Sequence, residues 1–123
     1  MQQNAVTWFE IPVSDIKRAA TFYERVLGVS LDRNDMGGSE MAWFPMAQGA
    51  PGAAGTLIQG DGYTPSHNGS LVYISVGDIE GTLKKIAANG GTTLVPKMSI
   101  GEHGYIAHFE DCEGNRVALH SRS

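Results

Sequence analysis

Few side chains in this chain of 123 residues are of types that do chemistry, and their spacing narrows what they could do. The stretch "VTWFEIPV" carries Glu10 two residues after Trp8. In an extended chain Val6, Trp8, Glu10 and Pro12 share one face, and Thr7, Phe9, Ile11 and Val13 the other. A carboxylate held against an aromatic wall and out of water titrates closer to neutrality and can serve as a general base. The alternative for Glu10 is structural, a hydrogen bond to a backbone amide or an arginine at a sheet edge. "RVALHS" offers His120, an imidazole able to pair with such a base. "EHGYIAHFED" supplies Glu102, His103, His108 and Glu110, and alternation sets His108 and Glu110 on one strand face. These are ligand types for a divalent first-row metal, but the spacing matches no familiar ligand pattern. Cys112 stands between Asp111 and Glu113, whose charges raise a thiol pKa and disfavour the nucleophilic thiolate.

These residues need elements to position them. After "VTWFEIPV", Ser14 or Asp15 can cap a helix by accepting from the free amides of its first turn. Ile16, Ala19, Ala20, Tyr23, Val26 and Leu27 then recur at three- and four-residue steps, an apolar stripe that requires a packing partner, and Gly28 supplies the left-handed stop. Strand-like runs follow in "VSLDRND", "EMAWFPMA" and "GTLIQG", and "DGYTPSHNGS" reads as a polar linker. The pattern then restarts in "LVYISVGDIEGTLKKIAANGG". At an offset of 63 (78 minus 15), Ile11, Val13, Asp15, Ile16 and Gly28 fall on Ile74, Val76, Asp78, Ile79 and Gly91. The strands "TTLVPKM", "GYIAHFED" and "RVALHS" complete a second copy. Internal repetition outranks any single element. The chain is expected to be one domain over residues 1–123, of class α+β: two βαβββ modules, about 5–60 and 71–123, joined by a linker at about 61–70. Each module leaves a sheet face bare, so together they form a curved mixed sheet around a shared cleft suited to a small molecule.

Composition agrees with a globular chain of this size. Hydrophobic residues make up 41% and charged residues 18%, and a net charge of −4 without any basic block argues against nucleic acid or an anionic membrane surface as a partner. No run approaches the roughly 20 apolar residues of a membrane span. One cysteine excludes an internal disulfide and suits a reducing compartment, so a cytoplasmic location is expected. No phosphate loop or nucleophile elbow occurs, and the glycines of "QGAPGAAGTL" join two strand-like runs rather than opening a helix, so a nucleotide-binding reading fails.

With these elements in place, the chain resembles the vicinal oxygen chelate superfamily, which includes glyoxalase I, extradiol dioxygenases, methylmalonyl-CoA epimerase and the bleomycin- and fosfomycin-resistance proteins. "FEIPVSDIKRAATFYERVLG" and "HFEDCEGNRVALHS" carry the resemblance, which spans essentially the whole chain. More narrowly, it looks like small bacterial proteins related to lactoylglutathione lyase. In the metal-dependent members, His and Glu side chains from the first and last strands of each module hold a divalent ion. Carried over, those positions fall on Trp8, Gln59, Leu71 and Ala118. A tryptophan, a leucine and an alanine cannot hold a metal, so the resemblance implies the fold without the metal centre, and no cofactor is expected. The cleft wall is then expected to carry Trp8, Gln59, Leu71, Tyr73 and Ala118 as ligand-binding positions, with Leu57 and Arg116 beside them and Glu10 and His120 as the catalytic candidates. Three readings stand at this level: a metal-independent binder of a small hydrophobic or aromatic molecule; a metal-dependent lyase, isomerase or dioxygenase whose ligands lie elsewhere; and an antibiotic-sequestering protein. The resemblance and the unpaired sheet edges also imply a homodimer.

Overall fold

A computed structural model describes residues 4–123. The first module runs β1 (Trp8–Pro12), α1 (Ile16–Leu27), β2 (Asp32–Met36), β3 (Ser39–Trp43) and β4 (Ala54–Gln59). The second runs β5 (Tyr73–Ser75), α2 (Ile79–Ala88), β6 (Thr92–Ser99), β7 (Tyr105–Glu110) and β8 (Arg116–Ser121). The α+β class and the repeated order βαβββ are those expected. Each module makes a four-stranded sheet, ordered β1-β4-β3-β2 and β5-β8-β7-β6. The first strand pairs in parallel with the last in both, β1 with β4 and β5 with β8. The parallel ladder is what the helical crossover makes possible, and the remaining pairs are antiparallel.

The helices form where the caps and stripes require. Asp15 caps α1 by accepting from the Arg18 amide at 3.1 Å, and Gly28 ends the helix at φ 69°. Asp78 repeats the cap on the Gly81 amide at 3.0 Å. The second stop differs from expectation: α2 ends at Ala88, Gly90 takes the left-handed turn at φ 96°, and the Gly91 amide bonds back to the Ile86 carbonyl. Leu71 lies before β5 rather than in it. The buried face of α1, with Ile16, Ala19, Tyr23 and Val26, packs on β3, β4 and α2. One apolar cluster draws on both modules, running from Ile11, Leu57 and Phe44 to Ile79, Phe109 and Leu119.

Polar ties between the modules come from one turn, "DCEGN", among the described residues. Asp111 accepts from the Tyr23 hydroxyl at 2.6 Å. Glu113 accepts from the amides of Ser14 and Asp15, at 2.7 and 3.0 Å, and pairs with Arg18. Asn115 donates to the Pro12 carbonyl at 2.7 Å. Three polar residues of one turn therefore reach the end of β1 and both the start and the middle of α1. They leave the other face of each sheet free to form the site.

Candidate functional site

The open faces follow from register. In the first module Trp8 lies opposite Ala54, Glu10 opposite Thr56 and Pro12 opposite Ile58, so these residues share the face turned away from α1. Trp43 and Met41 of β3 lie opposite Thr56 and Ile58 on the same face. Trp8 and Trp43 meet edge to face across β4, ring centres 5.9 Å apart. In the second module Ala118 on β8 has Tyr73 on one side and His108 on the other. The two larger side chains close over it, with the Tyr73 hydroxyl 3.4 Å from His108 Nε2. Ala118 is 0% exposed as a result.

Two cavities lie along β1, between it and the stretch 64–73 with the start of β8. One, of about 530 Å³, is walled by Val6, Trp8, Phe9, Leu71 and Tyr73. The other, of about 210 Å³, is walled by Thr64, Ser66, Asn68, Asn115 and Arg116. Glu10, Ser70 and Val72 border both, so an aromatic chamber adjoins a polar one with Glu10 at the junction. The polar chamber owes much to the stretch expected to be a plain linker. That stretch is fastened by the Ser66 amide to Asn115 Oδ1 at 3.1 Å, by the Ser66 carbonyl to the Arg116 amide, and by His67 Nε2 to Glu110 at 2.6 Å. Pairing through tertiary contacts is invisible to composition, although a histidine and four hydroxyl residues in the stretch were the available signal.

The expected site residues separate into two groups. Trp8, Glu10, Leu71 and Tyr73 come together around the cleft. Gln59 does not: it lies on the helix side, where its Oε1 accepts from the Ile16 amide at 2.7 Å, and Leu57 is in the core. Both faces of β4 are buried, so its sequence carries no alternation to fix the side, and only the register with β1 does so. Ala118 is sealed beneath Tyr73 and His108 rather than lining the cleft. His120 stands apart from Glu10, sharing neither a cavity nor a bond with it; its Nε2 meets the His103 carbonyl at 2.7 Å. Glu10 itself is exposed to solvent rather than held out of water.

The group that sequence reasoning missed is His108 with Arg116. Arg116 Nε and one terminal nitrogen lie 3.2 and 2.9 Å from His108 Nδ1. Burial, and then the Arg116 charge, lowers the His108 pKa and disfavours the imidazolium. The Cys112 thiol is pushed up to about 12 by burial and by Glu113 and Asp111, so it holds its proton at physiological pH.

For a divalent metal, the expected positions present indole, isobutyl and methyl groups at Trp8, Leu71 and Ala118, and the Gln59 oxygen is committed to α1. Among the described residues no three His, Cys, Asp or Glu side chains converge as a ligand set. These donors do not fit the metal. Glu102 and His103 sit in a 3-10 turn at Gly101–His103, outside the strand that carries His108 and Glu110.

Comparison with known proteins bears on the whole of this arrangement. The family model of the Glyoxalase/Bleomycin resistance protein/Dioxygenase superfamily matches residues 5–119. The chain belongs to this superfamily. A glyoxylase-like domain-containing protein of Didymella fabae is 29% identical to it over 126 residues, covering 95% of this chain and 93% of that protein. Among solved structures, a glyoxylase/bleomycin resistance protein/dioxygenase domain from Frankia sp. EAN1pec superposes with a TM-score of 0.73 at 16% identity, covering 98% of each chain. A variant of glyoxalase I from Zea mays superposes with a TM-score of 0.69 at 22% identity over 94% of this chain but only 45% of the maize chain. This superfamily member thus spans about half the length of the maize enzyme, and at such identities the structural likeness establishes the fold alone.

Proposed function

We propose that the chain binds a small aromatic or hydrophobic molecule bearing a polar group, in the two-chambered cleft along β1, and does so without the divalent metal of its metal-dependent relatives. The observation that carries this reading is the shared border at Glu10, Ser70 and Val72. A flat apolar body fits against Trp8, Leu71 and Tyr73 while its polar end enters the chamber of hydroxyls, amides and Arg116. Sequestration without turnover is the form of this reading that the solvent-exposed Glu10 favours.

Elemental analysis of protein purified without chelator or affinity-tag metal is expected to show no stoichiometric Ni, Zn, Fe or Mn. One equivalent per chain would overturn the metal-free part of the reading. Thermal-shift screening against substituted aromatics is expected to raise the melting temperature, because such ligands bind only the folded state. Hits that survive Trp8→Ala and Tyr73→Ala unchanged would show that the ligand sits elsewhere.

A further inference from the structure

We propose that Tyr73 is an oriented hydrogen-bond donor whose free proton selects cleft ligands bearing a carbonyl oxygen, and that Arg116 and His108 are the positioning residues that set its direction. This rests on the cleft reading above and names the polar group such a ligand carries.

Donor and acceptor counts set the direction of each bond. A guanidinium has N–H donors and no acceptor, and it does not lose its proton in a protein. Two nitrogens of Arg116 approach His108 Nδ1, at 3.2 and 2.9 Å, so Nδ1 must be the acceptor and carries no hydrogen. With Nδ1 accepting, the hydrogen of the imidazole lies on Nε2, and burial together with the Arg116 charge lowers the His108 pKa in the same sense. Nε2 faces the Tyr73 hydroxyl at 3.4 Å, so the imidazole donates and the phenol oxygen accepts. The Tyr73 proton is then left without a partner among the described residues. An isolated tyrosine on a strand would present its oxygen or its proton equally well, whereas here the imidazole engages the oxygen and leaves the proton available. Polarisation along such a chain also strengthens the outgoing bond.

Placement gives the donor a purpose. Tyr73 borders the aromatic chamber and is 49% exposed, and its ring leans across Ala118 toward His108, so a ligand that lies along the ring from the chamber meets the hydroxyl at the ring's far end. Register fixes the arrangement: Tyr73, Ala118 and His108 lie side by side on three neighbouring strands, and the small central residue lets the outer two meet. Any larger side chain at 118 would part them. Arg116 and Ala118 lie on the same face of β8, two residues apart, which brings the guanidinium alongside the imidazole. A ligand oxygen that only accepts, as in an aryl ketone or aldehyde, matches the free proton.

Two measurements test this. Two-bond 1H–15N correlation spectra of the imidazoles, on the unmodified protein at neutral pH, are expected to show His108 as the neutral Nε2–H tautomer. An Nδ1–H tautomer or an imidazolium overturns the proposal without recourse to any variant or ligand. Acetophenone and ethylbenzene, nearly equal in shape and differing in the carbonyl, then serve as probes in NMR titrations. The ratio of their affinities is expected to fall about tenfold in Tyr73→Phe and severalfold in His108→Leu, with ethylbenzene binding retained. An unchanged ratio in Tyr73→Phe overturns the proposal and leaves the cleft reading intact. Failure of both compounds to bind the unmodified protein overturns the cleft reading and this proposal together.

Discussion

At the scale of the residue, the two carboxylates of the "DCEGN" turn respond to pH in opposite senses. Asp111 is 2% exposed, and burial raises its pKa despite donors from Tyr23, Asn115 and Glu113. The folded state thus holds the Asp111 proton more tightly than the unfolded chain does. Its contribution to stability is fully present below the ordinary carboxylate range and is lost as pH rises through the folded pKa. For Glu113, burial pushes upward but the Arg18 bond and the amides of Asp15 and Ser14 outweigh it, and the pKa is lowered. Its contribution is present above the ordinary range and is lost as pH falls through the folded pKa. Tyr23, raised well above 10 by burial and then by Asp111, remains a donor throughout. Tyr23→Phe keeps the ring packing against Phe22 and Phe44 and deletes only the bond to Asp111. The expected loss, read by urea denaturation near neutral pH, is about 1.5–3 kcal/mol, the range for a hydrogen bond to a charged acceptor. It should shrink as pH falls and Asp111 takes up its proton. A loss that stays constant with pH would assign the effect to packing instead.

At the scale of the element, α2 contains a glycine that a propensity argument would replace. Gly81→Ala in a helix normally gains about 1 kcal/mol. Here a methyl group at position 81 would collide with the Asp78 carboxylate that caps the helix. The gain is expected to be cancelled by a weakened cap, itself worth about 1 kcal/mol, leaving Gly81→Ala near neutral in thermal denaturation. In an Asp78→Ala background the same substitution should recover its full benefit, and a simple sum of the two single effects would refute the coupling. The two aspartate caps and the left-handed glycine after α1 were legible in the sequence because caps and stops act through neighbours along the chain. The repeat at an offset of 63 was legible for the same reason, and with it the order of elements. Gln59, Ala118 and His108 were not legible. β4 is apolar on both faces, so the side on which Gln59 lies depends on its partner strand. The meeting of Tyr73 and His108 over Ala118 depends on how β5, distant in sequence, registers against the β7–β8 pair. The reach of Asp111, Glu113 and Asn115 into the first module depends on how two units dock, and no local pattern encodes docking.

At the scale of the whole molecule, the duplicated units have ceased to be equivalent. The second supplies the turn that binds them together, whereas the corresponding stretch of the first, residues 48–52, is an exposed loop. Their outer edges bear on assembly. β2 presents Asp32, Arg33 and Asp35, and β6 is interrupted by register shifts around Val95 and contains Pro96. Charge, bulges and proline are the features that discourage strand addition. We infer a homodimer joined through side chains rather than through a continued sheet, with exposed Met36, Met98 and Ile100 as available apolar contacts. Sedimentation equilibrium is expected to give twice the chain mass of 13.1 kDa and, for Met36→Lys, Met98→Lys and Ile100→Lys combined, the chain mass itself. A monomer at micromolar concentration would refute the dimer. Finally, the chain has two tryptophans, and both belong to one place: Trp8 and Trp43, in contact on the open face of the first module. Its intrinsic fluorescence therefore reports on a single wall of the cleft, and Trp8 is already 37% exposed in the folded state. Emission should respond strongly to an occupant and only modestly to unfolding, so the protein carries a built-in optical gauge of its own occupancy.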